Sequence, residues 1–321
     1  MHISAVYSRT LTLVALATLL PGCDGDMIPI VGFPHFYPTG IGHWRQTHSL
    51  LVGGYHGGAV QQVFLDGSAR QQTWLAPYSE GRTHVLRLRI DESRRRVWIL
   101  DYDAAYVYAL EDARLIARVP LPMLQADRRR CLPDMVLAKN GDAFVSDNRV
   151  PKIYRATIDG VVSALQGGLP AGQAPGYSAM TLTPDGGFLV AGRTVGDLWR
   201  IELSTGRSSR IALDSPIEGA CAFQIVPGPL VHRLVVALGF ANRASILDLA
   251  PDLSSATVAD KSWNVYADTP VSVQLVNDEF VFSSSRLSGH RDFNGRMTGG
   301  ELFYLTKAPL PDLDPMPIWL P

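Results

Sequence analysis

Leu132-Pro133-Asp134-Met135-Val136-Leu137-Ala138-Lys139-Asn140-Gly141-Asp142-Ala143-Phe144-Val145-Ser146 carries the organisation of the whole chain. An anchor, Leu132-Pro133-Asp134, precedes an apolar run. A polar turn follows at 139–142, and a second apolar run returns. Short apolar runs bounded by Asn, Gly and Asp read as paired strands. Further along, Tyr177-Ser178-Ala179-Met180-Thr181 repeats the anchor and first strand, Pro184-Asp185-Gly186-Gly187 the turn, and Phe188-Leu189-Val190-Ala191 the return. Other anchors stand at Tyr37-Pro38-Thr39, Thr83-His84, Ile217-Glu218 and Thr269-Pro270, a period of about 45 residues. Six such units predict an all-β, six-bladed β-propeller.

The units fall at 36–80, 81–127, 128–172, 173–214, 215–266 and 267–307, which makes 24–307 a single domain. Inner strands should be apolar because neighbouring blades cover both faces, as at 97–100, 234–238 and 279–282. Outer strands should alternate, as 196–203 does. The last unit shows three clear strands, so the apolar stretch 27–33 is expected to supply its fourth and close the ring. Pro29 is tolerable there because an outermost strand has one unpaired edge. The tail 308–321 contains five prolines and reads as an extended surface segment.

A formal net charge of -1 and 46% hydrophobic residues describe an ordinary globular chain, without the basic face that nucleic-acid binding needs. The runs Arg94-Arg95-Arg96 and Arg128-Arg129-Arg130 read as solvated turns. Residues 1–23 form a targeting segment: Arg9, an apolar stretch at 11–20 too short for an ordinary transmembrane helix, then Leu20-Pro21-Gly22-Cys23. That ending resembles the bacterial lipobox, with Pro21 a departure from it. The resemblance implies an acylated Cys23 and a periplasmic or cell-surface lipoprotein held at the membrane. Of the two remaining cysteines, Cys131 falls in the third unit and Cys221 in the fifth. Those blades are not neighbours, so Cys221 is expected to be a buried thiol rather than half of a disulfide.

The pattern of anchor, strand, Pro-Asp-Gly turn and Val-rich strand over about 36–307 resembles the senescence-marker-protein/gluconolactonase/luciferin-regenerating-enzyme-like propellers. Active members carry a divalent cation (Ca, Zn or Mn) at one end of the central channel, the mouth. The resemblance puts Thr39 where those proteins have a glutamate ligand, Ser178 where they have asparagine, and Glu218 where they have aspartate. The third-blade Asn-Asp becomes Pro133-Asp134, and His84 is the second-blade residue. A hard cation needs several oxygen ligands, and two are replaced by hydroxyls. His84, Asp134 and Glu218 could form a new metal set, with Asp134 or Glu218 as general base in lactone or ester hydrolysis. The other reading gives each of them hydrogen bonds to strand ends or water.

Turns between second and third strands lie on the mouth side, and four carry arginine: Arg149 after Asn148, Arg193, Arg243 and Arg286. Guanidinium forks pair with carboxylate or phosphate, so an anionic ligand is one expectation. Alternatively these arginines simply solvate turns. The leading functional reading is a ligand- or protein-binding module, taking a small anionic molecule or an envelope protein at the mouth. The alternative is a metal-dependent hydrolase of the gluconolactonase type.

Overall fold

The computed structural model describes residues 27–33, 35–122, 132–165, 175–228, 232–287 and 303–311. Cys23, the arginine run 128–130, Cys131, the loop residues His290, Arg291 and Asp292, and the tail from 312 onward lie outside them. Among the described residues the only helices are short 3-10 turns, and none could cross a membrane.

The chain forms successive antiparallel meanders. The first comprises Pro38–Trp44, Ser49–Gly54, Val60–Phe64 and Gln71–Leu75, and the second Arg87–Asp91, Arg96–Leu100, Ala104–Ala109 and Leu115–Pro120. Met135–Leu137, Ala143–Asp147, Lys152–Ala156 and Val162–Ala164 make the third. An eight-stranded sheet holds the next two. Ala179–Leu182, Phe188–Gly192, Leu198–Glu202 and Ser208–Leu213 run in order to one edge. There they meet the fifth unit, Ala220–Val226, His232–Leu238, Arg243–Leu249 and Ser255–Trp263. The join is a short parallel pairing of Ala212 with Ser255 and Leu213 with Ala256. The last sheet takes Val273–Val276, Glu279–Ser284 and Phe303–Pro309, with Met27–Ile30 antiparallel on its outer edge. Its third strand continues through Ala308 and Pro309, two residues into the expected tail.

Local chemistry explains the reversals. In the fourth unit Gly186 adopts φ 79°, open to glycine at no steric cost. Asp185 locks the turn by accepting from Gly187 N–H at 3.0 Å and Thr183 Oγ1 at 2.5 Å. Gly141 does the same in the third unit at φ 92°. The first two units turn through 3-10 segments, Arg45–Thr47 and Glu92–Arg94, each ended by a left-handed residue, His48 or Arg95.

The first strands of successive units are innermost and lie side by side. Pro38–Trp44 packs against Arg87–Asp91, followed by Met135–Leu137, Ala179–Leu182, Ala220–Val226 and Val273–Val276, the last also against Pro38–Trp44. This is a nearly all-β, propeller-like arrangement. Its second strands are buried along most of their length, as in Arg96–Leu100 and Glu279–Ser284. The first unit approaches the second so closely that a Cβ on Gly53 would sit 2.3 Å from Val85 Cγ1. The amino-terminal strand is packed too, since Ile30 is buried in the same apolar cluster as Phe303 and Leu305.

Ile30→Ala is expected to cost about 2–4 kcal/mol in urea unfolding. A loss within about 0.5 kcal/mol, the scatter of ordinary surface changes, would mean that this strand is not part of the core.

Candidate functional site

The residues placed at the mouth by sequence do not come together as one cluster. Asp134, at the start of the third innermost strand, is fully buried. Its Oδ1 accepts from Arg87 Nε at 2.9 Å, Arg89 Nη2 at 3.2 Å and Met135 N–H at 2.8 Å, while Oδ2 accepts from Met180 N–H at 2.8 Å. Arg87 is equally buried and also donates to Leu86 O at 2.9 Å and Cys221 O at 2.7 Å. Burial pulls the Arg87 pKa below its ordinary value, and the Asp134 charge opposes that shift. One ion pair thus ties together the innermost strands of the second to fifth units.

Thr39 and Ser178, the positions where the resembling family has metal ligands, are fully buried and act across unit boundaries. Thr39 Oγ1 donates to Val85 O of the second unit, and Ser178 Oγ donates to Ala220 O of the fifth at 2.7 Å. Glu218 is exposed.

His84 sits elsewhere, at the open end of the first and second units. Its Nδ1 lies 2.9 Å from Thr83 Oγ1 and 3.4 Å from Asp101 Oδ1, and its side chain is 23% exposed. The ring packs between Tyr55 and Tyr102, each 4.9 Å away by ring centroid, and those two hydroxyls share a 2.7 Å hydrogen bond. His56 adds a fourth ring, 5.0 Å from Tyr55. Gly57 and Gly58, at φ 70° and 65°, form the corner that presents Tyr55 and His56. Arg82, buried beneath, braces the corner by donating to Gly58 O through Nε at 3.0 Å.

Asp101 is the fixed point of this group. Its carboxylate accepts the backbone N–H of Thr83 at 2.8 Å, His84 at 3.1 Å and Tyr102 at 2.7 Å. Burial alone would raise its pKa. Hydrogen bonds from His84, Thr83 and Tyr102 outweigh burial and hold the carboxyl below the usual range. Sequence reading placed His84 at the mouth, took Asp101 as an acid that could neutralise the arginine turns, and gave Tyr55 and Tyr102 no part in a site. The glycine-rich corner and the Asp101-Tyr102-Asp103 turn were the available signals.

The four arginines meet different fates. Arg193 is buried in a bidentate pair with Asp197 of its own turn, Nε to Oδ1 being 2.7 Å. Arg286 faces Asp268 at 3.7 Å. Arg149 and Arg243 are exposed, and Arg243 Nε reaches Ala241 O at 3.3 Å. Asn148, before Arg149, is buried.

Among the described residues no three His, Cys, Asp or Glu side chains gather to hold a metal ion. Asp134 has both oxygens committed to N–H donors, so His84, Asp134 and Glu218 do not fit a divalent cation as a set. Cys221 corrects an expectation: it is disulfide-bonded, not a free thiol. The expectation rested on counting blades around the ring, which does not measure the distance between two innermost strands. The other cysteines, Cys23 and Cys131, lie outside the described residues.

Two stability measurements test this arrangement. Asp134→Ala leaves Arg87 buried without its counter-charge and is expected to cost about 3–5 kcal/mol, part of it recovered when Arg87→Met is added. If the single variant unfolds at the native urea midpoint, the pair does not carry the centre. Asp101, with its pKa lowered by folding, contributes stability that is full above about pH 4 and lost as pH falls through its folded value. Asp101→Asn should therefore lose less stability than the native chain between about pH 5 and 2. Parallel curves for the two proteins would rule this out.

No protein-family model matches the sequence, and no curated protein matches it. Solved structures do resemble it. A virginiamycin B lyase from Staphylococcus aureus is 17% identical over 80% of each chain, with a TM-score of 0.58. A gluconolactonase from Xanthomonas campestris is 15% identical over 94% of each chain, at 0.57. A luciferin-regenerating enzyme is 10% identical over 90% of this chain and 96% of its own, at 0.61. At these identities the likeness is one of fold alone: the chain has a propeller architecture like theirs.

Proposed function

We propose that this chain is an exported, lipid-anchored six-bladed β-propeller that works as a binding module in the periplasm or at the cell surface. The N-terminal strand closes its ring, Cys23 carries the lipid, and the mouth receives a small anionic ligand or an envelope protein. The observation that carries the reading is the open-end group of His84, Tyr55, Tyr102 and Asp101. Two phenol faces and an imidazole form an apolar wall with polar edges, the composition of a small-ligand subsite. Asp101 holds His84 through Nδ1, which leaves Nε2 as the nitrogen for a ligand. Exposed Arg149 and Arg243 supply positive charge on the same side.

The alternative, hydrolysis of a lactone or ester as in gluconolactonases, is favoured by the shared architecture with the Xanthomonas gluconolactonase. The site residues favour it less. Asp134 is committed to Arg87, and Glu218 is exposed to solvent, so neither is poised as a general base.

Thermal unfolding of the purified chain separates the two readings. With EDTA, and then with added Ca²⁺, Mn²⁺ or Zn²⁺, the midpoint is expected to stay put, because a cation binding the native state alone must raise it. A saturable rise abolished in Glu218→Ala would instead establish the hydrolase reading. Ligand capture from a panel of small carboxylates and phosphates should weaken at least tenfold in His84→Ala combined with Tyr102→Ala. Undiminished capture by that variant would refute the mouth as the site.

A further inference from the structure

At the opposite end of the innermost strands, two adjoining hollows of about 470 and 490 Å³ open to solvent. Each is of a size that holds a small organic molecule. They share His43, Arg45 and Gln274, so one wall serves both. The first hollow is also lined by Arg89, Arg94 and Lys139, against only Asp91 and Glu92. It lies on the far side of the Arg87–Asp134 pair from the aromatic group, since Arg89 reaches Asp134 from this end.

Most of these charges are already spent. Arg94 pairs with Asp91 at 3.1 Å, Arg89 donates to Asp134 at 3.2 Å, and Glu92 accepts the backbone N–H of Arg45 at 2.5 Å. Lys139 Nζ donates to Asp185 O at 2.8 Å, and after the hydrogen bonds from Thr183 and Gly187 its charge also helps hold the Asp185 carboxyl below its ordinary pKa. The Arg45 guanidinium makes no ion pair with any of the described residues, and it stands on the shared wall. Beside it, the half-buried His43 ring has a buried Nε2 without a hydrogen-bond partner among the described residues.

We infer that this end is a second binding site, for a small anion bearing a carboxylate or phosphate, held by Arg45 with Lys139 and His43 beside it. A guanidinium with its fork unspent matches an oxyanion bidentately, and the flanking polar wall leaves little for an apolar ligand to gain. The site is independent of the mouth, because the buried ion pair stands between them.

Titration of the intact chain with inorganic phosphate and with citrate, followed by unfolding midpoint and by calorimetry, tests the site. A saturable rise is expected with at least one of the two, beyond that given by sodium chloride of equal ionic strength. Arg45→Ala should weaken it at least tenfold. Arg45 is exposed and uses only its backbone in hydrogen bonding, so that variant should fold. The titration is repeated in the His84→Ala, Tyr102→Ala background, which removes anion taken at the mouth, and there Arg114→Ala on an exposed turn should leave the remaining response intact. No saturable response to either anion in that background, or one that survives the addition of Arg45→Ala, would overturn the inference.

Discussion

The buried pairing of Arg87 with Asp134 is the constraint around which the innermost strands are arranged. Removing two charges from water costs several kcal/mol each, and the pair is tolerable only because nearly every lone pair and proton is answered. The answers come from four units: Arg87 and Arg89 of the second, Met135 of the third, Met180 of the fourth and Cys221 of the fifth. Slipping one strand by a residue would break several of these bonds at once. An apolar centre would be comparably stable but less particular about register, since dispersion contacts carry little direction. The pair therefore fixes how the units sit around the centre more than it adds to net stability.

Hydroxyl groups extend the same logic outward. Thr39 and Ser178 each reach a carbonyl of the next unit, and Asn242 Oδ1 accepts Thr269 N–H of the last unit at 2.8 Å. Positions that hold cation ligands in the resembling propellers hold short hydrogen-bonding side chains here. A cation and a hydroxyl staple solve one problem, satisfying backbone oxygens where strand ends crowd together. The staple does so without the electrophile. At that place the side chains hold neighbouring units together.

The meanders were legible because they rest on local rules. Gly141 and Gly186 mark turns whose φ only glycine adopts easily, and Met27–Ile30 could be assigned to the last sheet because one unit was a strand short. The centre was not legible, because its partners are far apart in sequence. Arg87 and Cys221 are separated by 134 residues, and nothing local distinguishes Arg87 from the half-exposed Arg89 two positions on. An arginine where the innermost strand should be apolar was the available signal. Cys221 shows a related error: blade order along the chain was used as a distance, and the cysteine is bonded all the same. The arginine turns were read by residue type alone, and type does not reveal that Arg193 has its own Asp197 four residues away.

The same ion pair decides what kind of site each end can be. With Arg87 and Asp134 fully buried, a ligand entering from either side meets a wall of committed charge. To pass, it would have to expose an unpaired arginine or carboxylate, at a cost comparable to the whole stability of a domain this size. The buried pair therefore separates the aromatic group at one end from the hollows at the other. Shallow sites keep their water, so a charge near them acts through a high effective dielectric and is worth little to a transition state. That setting suits recognition, where aromatic faces and exposed guanidinium groups supply specificity. It suits hydrolysis poorly, because the buried carboxylates Asp101, Asp134 and Asp197 are each already engaged by N–H donors.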